Sequence, residues 1–263
     1  MSATAERDAE GWFQAGMAAA RTGCLDEALA CYNKSLELEP DMPGTLASIA
    51  GIYIDQGRYQ EALEPARRAV ELDPTYSVAL SNLGAALLGL GDAEGALPIL
   101  QQAVELEPND ATNCANLGGC LVKLGRHQEA IEVLQRATRL NPQHDNAWTN
   151  LAAAYFGCKV YEQAITAARR AITLDPANHV AYIWLGKAYQ FSKRFDEAMA
   201  AYQQALVLRP DKGDIHLLMG TCCMLAGQYD LAWRHGWLAE ELGTEVPPRF
   251  FEILRSVSRE PKR

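Results

Sequence analysis

Six prolines constrain this chain more than any other feature. Pro40, Pro74, Pro108, Pro142, Pro176 and Pro210 stand 34 residues apart, each closing a similar stretch: LELEP, VELDP, VELEP, TRLNP, ITLDP and LVLRP. A constant period of this length means stacked copies of one supersecondary unit, because a single copy cannot bury its own apolar face. Within each period the apolar residues recur at helical spacing twice over, as in AYIWLGKAYQFSK followed by FDEAMAAYQQALVLRP. Between the two predicted helices stands Gly23, Gly57, Gly91, Gly125 or Gly227, and in two copies Lys159 or Lys193. Glycine accepts the left-handed conformation that ends a helix, and the proline keeps the second helix from continuing. Pro65 and Pro98 fall inside predicted second helices. Each is expected to kink its helix and remove a hydrogen bond, at up to about 3 kcal/mol.

Residues at fixed places in the period carry a resemblance. One copy has Tyr182, Leu185, Gly186, Tyr189, Ala198, Tyr202, Ala205 and Pro210; the copy before it has Trp148, Leu151, Ala152, Tyr155, Ala164, Ala168, Ala171 and Pro176. This resembles the tetratricopeptide-repeat pattern, a large residue, Leu-Gly, Tyr, then spaced alanines and proline. The likeness runs from Ala9 to about Leu242, although the first copy has Ala15 and Ala19 where large residues are usual. It implies an all-α, right-handed α-solenoid of helix-turn-helix repeats. Residues 1–8 are read as a flexible N-terminus, 9–246 as six full repeats and a degenerate seventh, and 247–263 as a capping helix with a basic tail. In that last helix Phe250, Ile253, Leu254 and Val257 form the expected apolar stripe.

Charge and motifs exclude other classes. A formal net charge of −9 disfavours nucleic acid as a partner. The opening MSATAERDAEGW is not a secretory signal, and IHLLMGTCCMLAG is too short to span a membrane, so a cytoplasmic protein without membrane insertion is expected. The seven cysteines form no CxxC pair. His216 near Cys222 and Cys223 is the one cluster with ligand chemistry, and the remaining histidines lack partners at metal or triad spacing. Neither a metal, a cofactor nor a functional disulfide is expected. No nucleophile elbow, phosphate loop or zincin motif is present, so no catalytic residue is assigned and the chain is read as a non-enzyme.

What remains is a binding surface. In tetratricopeptide arrays the first helix of each pair lines the concave side, where extended peptides or partner helices bind. The carboxylate clamp of co-chaperones is missing, since Phe13 and Met17 stand at its places in the first repeat. Asn82, Asn116 and Asn150 instead occupy one register in three consecutive repeats, within SNLGAAL, ANLGGCL and TNLAAAY. This is similar to the asparagine ladder of O-linked N-acetylglucosamine transferase, whose transferase domain is absent here. The resemblance implies that these side chains hold peptide backbone. Their other role would be to bond a neighbouring helix. Gly51, Ala85, Gly119 and Ala153 leave the same face smooth, while Phe156, Trp184, Lys187 and Phe191 fall at inward phases further along. They read as anchors for a ligand side chain, or, for Phe156 and Phe191, as filling between repeats. The expected function is a protein-interaction module that takes an extended segment of another protein. The alternatives are a self-associating scaffold and an accessory subunit that presents substrates to a separate enzyme.

Overall fold

A computed structural model describes residues 7–261. Those residues form helices and no strands. The first-helix and second-helix pairs are α1 Ala9–Arg21 with α2 Leu25–Leu38, α3 Pro43–Asp55 with α4 Tyr59–Leu72, α5 Ser77–Gly89 with α6 Ala93–Leu106, and α7 Ala111–Lys123 with α8 His127–Leu140. They continue with α9 Asp145–Gly157 and α10 Tyr161–Leu174, α11 His179–Phe191 and α12 Phe195–Leu208, and α13 Gly213–Leu225 and α14 Tyr229–Glu241. A last helix, α15, spans Pro248–Val257. The fold is an all-α helical-repeat solenoid. It divides into two compact units, Met1–Leu124 and Gly125–Arg263.

The turns within pairs are alike because the same hydrogen bonds close them. Arg58 N donates to Tyr53 O at 2.8 Å and Gly57 N to Ile54 O at 2.9 Å, with Gly57 at φ 71°. This is the motif in which a left-handed residue satisfies the last free carbonyls of a helix. Arg194 N to Tyr189 O at 2.9 Å and Lys193 N to Gln190 O at 3.0 Å repeat it. Here the left-handed residue is Lys193 at φ 60°, and Lys159 at φ 62° plays the same part after α9. After each of the first two second helices the residue preceding proline is extended, Glu39 at φ −140° and Asp73 at φ −139°, as the proline ring demands. Asp8 and Arg7 belong to this ordered frame: the Asp8 carboxylate accepts from Gly11 N at 2.8 Å and Arg7 lies 5.0 Å from the Trp12 ring. The remaining part of the proposed N-terminal segment, residues 1–6, lies outside the described residues.

The two internal prolines do not end their helices. Helices α4 and α6 run through Pro65 and Pro98 without interruption. Each ring removes one amide donor from the carbonyl four residues before it. Those carbonyls belong to Glu61 and Glu94, both exposed, where water replaces the lost donor at little cost.

Packing within a pair follows a volume rule. Where the first helix has glycine, the second brings a large side chain sixteen residues later: Gly16 faces Tyr32 and Gly84 faces Leu100 in unit 1, and Gly186 faces Tyr202 in unit 2. A Cβ at these glycines would stand 2.4–2.6 Å from the opposing atoms. Where the first helix has alanine, so does the second, as at Ala50 with Ala66 and Ala152 with Ala168, all fully buried. The slot between helices keeps a near-constant volume, as a close-packed interior requires. The seventh pair has glycine on both sides, Gly220 and Gly236, and Phe250 of α15 enters the space. The buried face of α15 is therefore Phe250, Phe251 and Leu254, with Phe251 stacked on Trp233 at 5.4 Å. Ile253 and Val257, expected on that face, are 37% and 48% exposed. The glycine slot, not the helical stripe, sets the orientation of α15.

Candidate functional site

The predicted anchors converge in unit 2. Phe156 at the end of α9, Trp184 in the middle of α11 and Phe191 at its end form one cluster. The Phe156 ring lies 5.6 Å from Trp184 and 5.2 Å from Phe191, the latter pair edge-to-face at 86°. Tyr161, at the start of α10, completes it at 5.8 Å from both Phe156 and Phe191. Edge-to-face and tilted contacts at these separations suit the quadrupoles of aromatic rings. Lys187, one turn after Trp184, lays its ammonium 4.5 Å from the Trp184 ring centroid.

The other repeats serve as internal controls for this cluster. At the place of Phe191 two of them have Gly89 and Gly157, each pressed against the residue that starts the preceding second helix, Tyr59 and His127 respectively. A Cβ at Gly89 would come within 2.2 Å of Tyr59. In the third such slot both partners are bulky, Tyr161 and Phe191. They cannot interpenetrate, so Phe191 turns outward and is 56% exposed. Lys187 likewise stands where five other repeats have Met17, Gly51, Ala85, Gly119 and Ala153. Tyr161 escaped the sequence reading. The signal for it was its register with Tyr59 and His127, but only the slot geometry shows what that register faces.

Electrostatics single out Lys187. It is half-buried, and desolvation pushes its ammonium below the ordinary lysine value. Among the described residues it has no ion-pair partner. Of the three carboxylates that begin the neighbouring second helices, Glu162, Asp196 and Glu197, none forms an ion pair with it. Glu197 binds Arg194 at 2.7 Å, and Glu162 lies 3.9 Å from the same guanidinium.

The asparagines present a different picture. Asn82 donates through Nδ2 to Ala47 O at 2.9 Å, and Asn116 through Nδ2 to Ser81 Oγ at 2.9 Å. Each thus ties its first helix to the preceding one within unit 1. One N–H and the carbonyl oxygen of each amide remain beyond those bonds. Asn150, in unit 2, is half-buried, and its side chain makes no hydrogen bond among the described residues. The structure brings Phe156, Trp184, Lys187 and Phe191 together, and leaves the three asparagines as separate points along the first helices.

A second concavity in unit 2, of about 390 Å³, is lined by Trp148 and Tyr155 of α9 together with residues of α8 and α10. Two of its polar tips bond within the protein: Trp148 Nε1 donates to Pro142 O at 3.0 Å, and Gln135 Nε2 donates to Tyr155 Oη at 2.8 Å. The His216 expectation also changes. Cys222 Sγ lies 3.7 Å from Phe195 O and Cys223 Sγ 3.6 Å from Met199 Sδ, both away from His216. His216 instead meets His235, one of the histidines expected to be alone, with the two Nδ1 atoms 3.0 Å apart and the rings stacked. Among the described residues no group of three or more His, Cys, Asp or Glu side chains is arranged to hold a metal. Nor is any helix among them long and apolar enough to cross a membrane.

Comparison with known proteins agrees with the repeat geometry. A chain of the APC/C hetero-tetramer Cut9–Hcn1 superposes with a TM-score of 0.76 at 19% identity, covering 89% of this chain and 48% of that one. This chain therefore spans about half the length of that match, which shows the fold alone. YrrB, described as a tetratricopeptide-repeat protein with an unusual peptide-binding site, matches at 28% identity and TM-score 0.50, over 66% of this chain and 90% of its own. MamA from Desulfovibrio magneticus RS-1 matches at 26% and TM-score 0.55, over 64% and 94%. No curated protein matches the chain significantly. A tetratricopeptide-repeat model matches residues 179–212. The model described as the cilia and flagella-associated protein 70 C-terminal domain matches residues 1–192, and the chain belongs to that tetratricopeptide-repeat family.

Proposed function

We propose that this chain is an interaction module that holds an extended segment of a partner protein along its first-helix faces. Tetratricopeptide arrays mediate protein–protein interaction and are typically non-catalytic scaffolds. The finer reading rests on one observation. Aromatic side chains and an unpaired lysine converge at one place on the first helices, where two other repeats have glycine in place of Phe191 and four have glycine or alanine in place of Lys187. Large, rigid aromatic groups beside a cation are the side chains that dominate binding energy at protein interfaces. The likeness to YrrB, a protein described by its peptide-binding site, supports the same mode. In this reading the free amide groups of Asn82, Asn116 and Asn150 bond the ligand backbone, which gives affinity without demanding a particular side chain.

Selection of binders from a displayed peptide library tests the proposal. Peptides enriched on the wild-type chain are expected to bind the Phe156→Ala/Trp184→Ala variant about tenfold more weakly or worse, as measured by fluorescence anisotropy. Enrichment of no peptide, or affinity indifferent to both substitutions, would overturn it. The self-associating scaffold is favoured by one feature, the exposed Leu38, Leu72 and Leu106 at the ends of second helices. A sedimentation series in which mass rises with concentration, and peptide binding falls in step, would establish that reading instead.

A further inference from the structure

Two of the seven turns within pairs depart from the rest. Five use glycine at the left-handed position, with φ between 71° and 90°, whereas Lys159 and Lys193 adopt φ 62° and 60°. A side chain with a Cβ is strained in this conformation, and lysine lacks the short polar side chain that lets asparagine or aspartate tolerate it. Strain of this kind persists where something else requires the residue. Both lysines adjoin the aromatic cluster in the chain. Lys159 comes two residues before Tyr161, and Lys193 two residues after Phe191. The third lysine, Lys187, is the half-buried cation over Trp184. None of the three forms an ion pair among the described residues: Glu162 and Glu197 are directed at Arg194, and Asp196, in the first turn of α12, pairs with none of them. Unit 2 as a whole carries 17 basic and 15 acidic residues, whereas unit 1 carries 7 and 18. An acidic ligand is thus repelled by unit 1 and admitted by unit 2.

We infer that the cluster of Phe156, Tyr161, Trp184 and Phe191 with Lys187 is a pocket for an acidic residue set beside an apolar one. The carboxylate of the partner segment bonds the Lys187 ammonium. The adjoining apolar side chain lies on the outward Phe191 ring, and Lys159 and Lys193 supply the positive field at the rim. The exposed ring and the half-buried cation explain each other here. Each is unfavourable in the free chain, and one ligand dipeptide covers both. This inference rests on the peptide-binding reading proposed above and specifies its ligand.

The test uses the whole chain and a displayed library of peptides with one fixed Phe and random neighbours. Wild-type protein is expected to enrich Asp and Glu beside the Phe, and Lys187→Met, which keeps the apolar stem on Trp184, is expected to lose that enrichment. Synthetic peptides that differ only as Glu or Gln beside the Phe should then differ about tenfold in Kd on wild type, as a charge-assisted bond predicts. They should bind equally to Lys187→Met, whose fold is checked by its melting curve; Lys187→Gln replaces it if that variant is unstable. Lys159→Gly/Lys193→Gly separates strain from function: its melting temperature should rise while the preference for Glu shrinks. Equal binding of the Glu and Gln peptides to wild type would overturn the acidic pocket and leave the peptide-binding reading standing. Binding of neither would overturn both. Occupation of the site by a second copy, seen as a dimer that Lys187→Met dissociates, would also overturn the inference.

Discussion

The two units obey one repeat rule with different materials. Unit 1 has six aromatic side chains and unit 2 fifteen, although the units differ little in length. In unit 1 the slots between paired helices close mostly on alanine and leucine, as at Ala50 with Ala66 and Gly84 with Leu100. In unit 2 they close increasingly on rings, Tyr202 against Gly186 and then Phe250 against Gly220 and Gly236. All five histidines also lie in unit 2. The 34-residue period therefore fixes backbone geometry and total slot volume, but leaves the chemistry of each slot free. That freedom is where recognition can be written without disturbing the fold.

The largest test of this division removes the heaviest ring. Trp233 is fully buried, stacks on Phe251 and donates from Nε1 to Ser258 Oγ at 3.1 Å. Trp233→Ala is expected to cost about 3–5 kcal/mol. In a repeat array the loss stays near its origin, because each repeat touches only its neighbours. Hydrogen exchange followed by mass spectrometry should show protection falling in α13 to α15 while α3 to α6 keep theirs. Equal loss in both units would mean that the chain unfolds as one block and that the comparison of units has no energetic content.

A smaller difference comes from pH. Burial, with the neighbouring His216, holds His235 down at about 4. The unfolded chain takes up that proton near the ordinary value of about 6.5, whereas the folded unit resists it until pH approaches 4. The stability tied to a neutral His235 is thus complete above pH 6.5 and is lost as pH falls from there to 4. Lowering the pH from 7 to 5 would remove about 2 kcal/mol by proton linkage alone, and partial exposure of the ring reduces this to roughly 1 kcal/mol. The loss belongs to unit 2, since unit 1 has no histidine. Exchange protection in α13 and α14 should fall while that of α3 to α6 holds, and His235→Phe should flatten the response. A drop of the same size in unit 1 would refute the assignment to this pair.

Reading these features from sequence alone succeeded where the period itself carries the information. It located the turns, the left-handed positions and the small residues at Gly84 and Gly186, because a repeated position reports a repeated backbone. It also placed Phe156, Trp184, Lys187 and Phe191 at inward phases of the first helices. It did not find Tyr161, the His216–His235 contact or the buried face of α15. Each of those depends on which side chain meets which across a slot, and register does not specify that. The cost at Pro65 and Pro98 is not legible for a related reason: it depends on whether the orphaned carbonyl faces water.

The asparagines give the finest comparison, and the two units disagree about them. Asn82 and Asn116, in unit 1, each spend one N–H on the preceding first helix. A neutral bond of this type is worth about 0.5–1.5 kcal/mol net. Asn82→Ala and Asn116→Ala should each lower unit 1 stability by that amount. Asn150 makes no such bond among the described residues, and asparagine is a poorer helix former than alanine. Asn150→Ala should therefore leave unit 2 as stable as before, or more stable by a few tenths of a kcal/mol. If the three side chains hold ligand backbone, all three variants lose a comparable fraction of peptide affinity, about threefold to tenfold each. Asn150→Ala is the decisive member, since in it a loss of affinity cannot be attributed to a loss of fold. Unchanged affinity in that variant, beside destabilised Asn82→Ala and Asn116→Ala, would assign the ladder to packing between first helices.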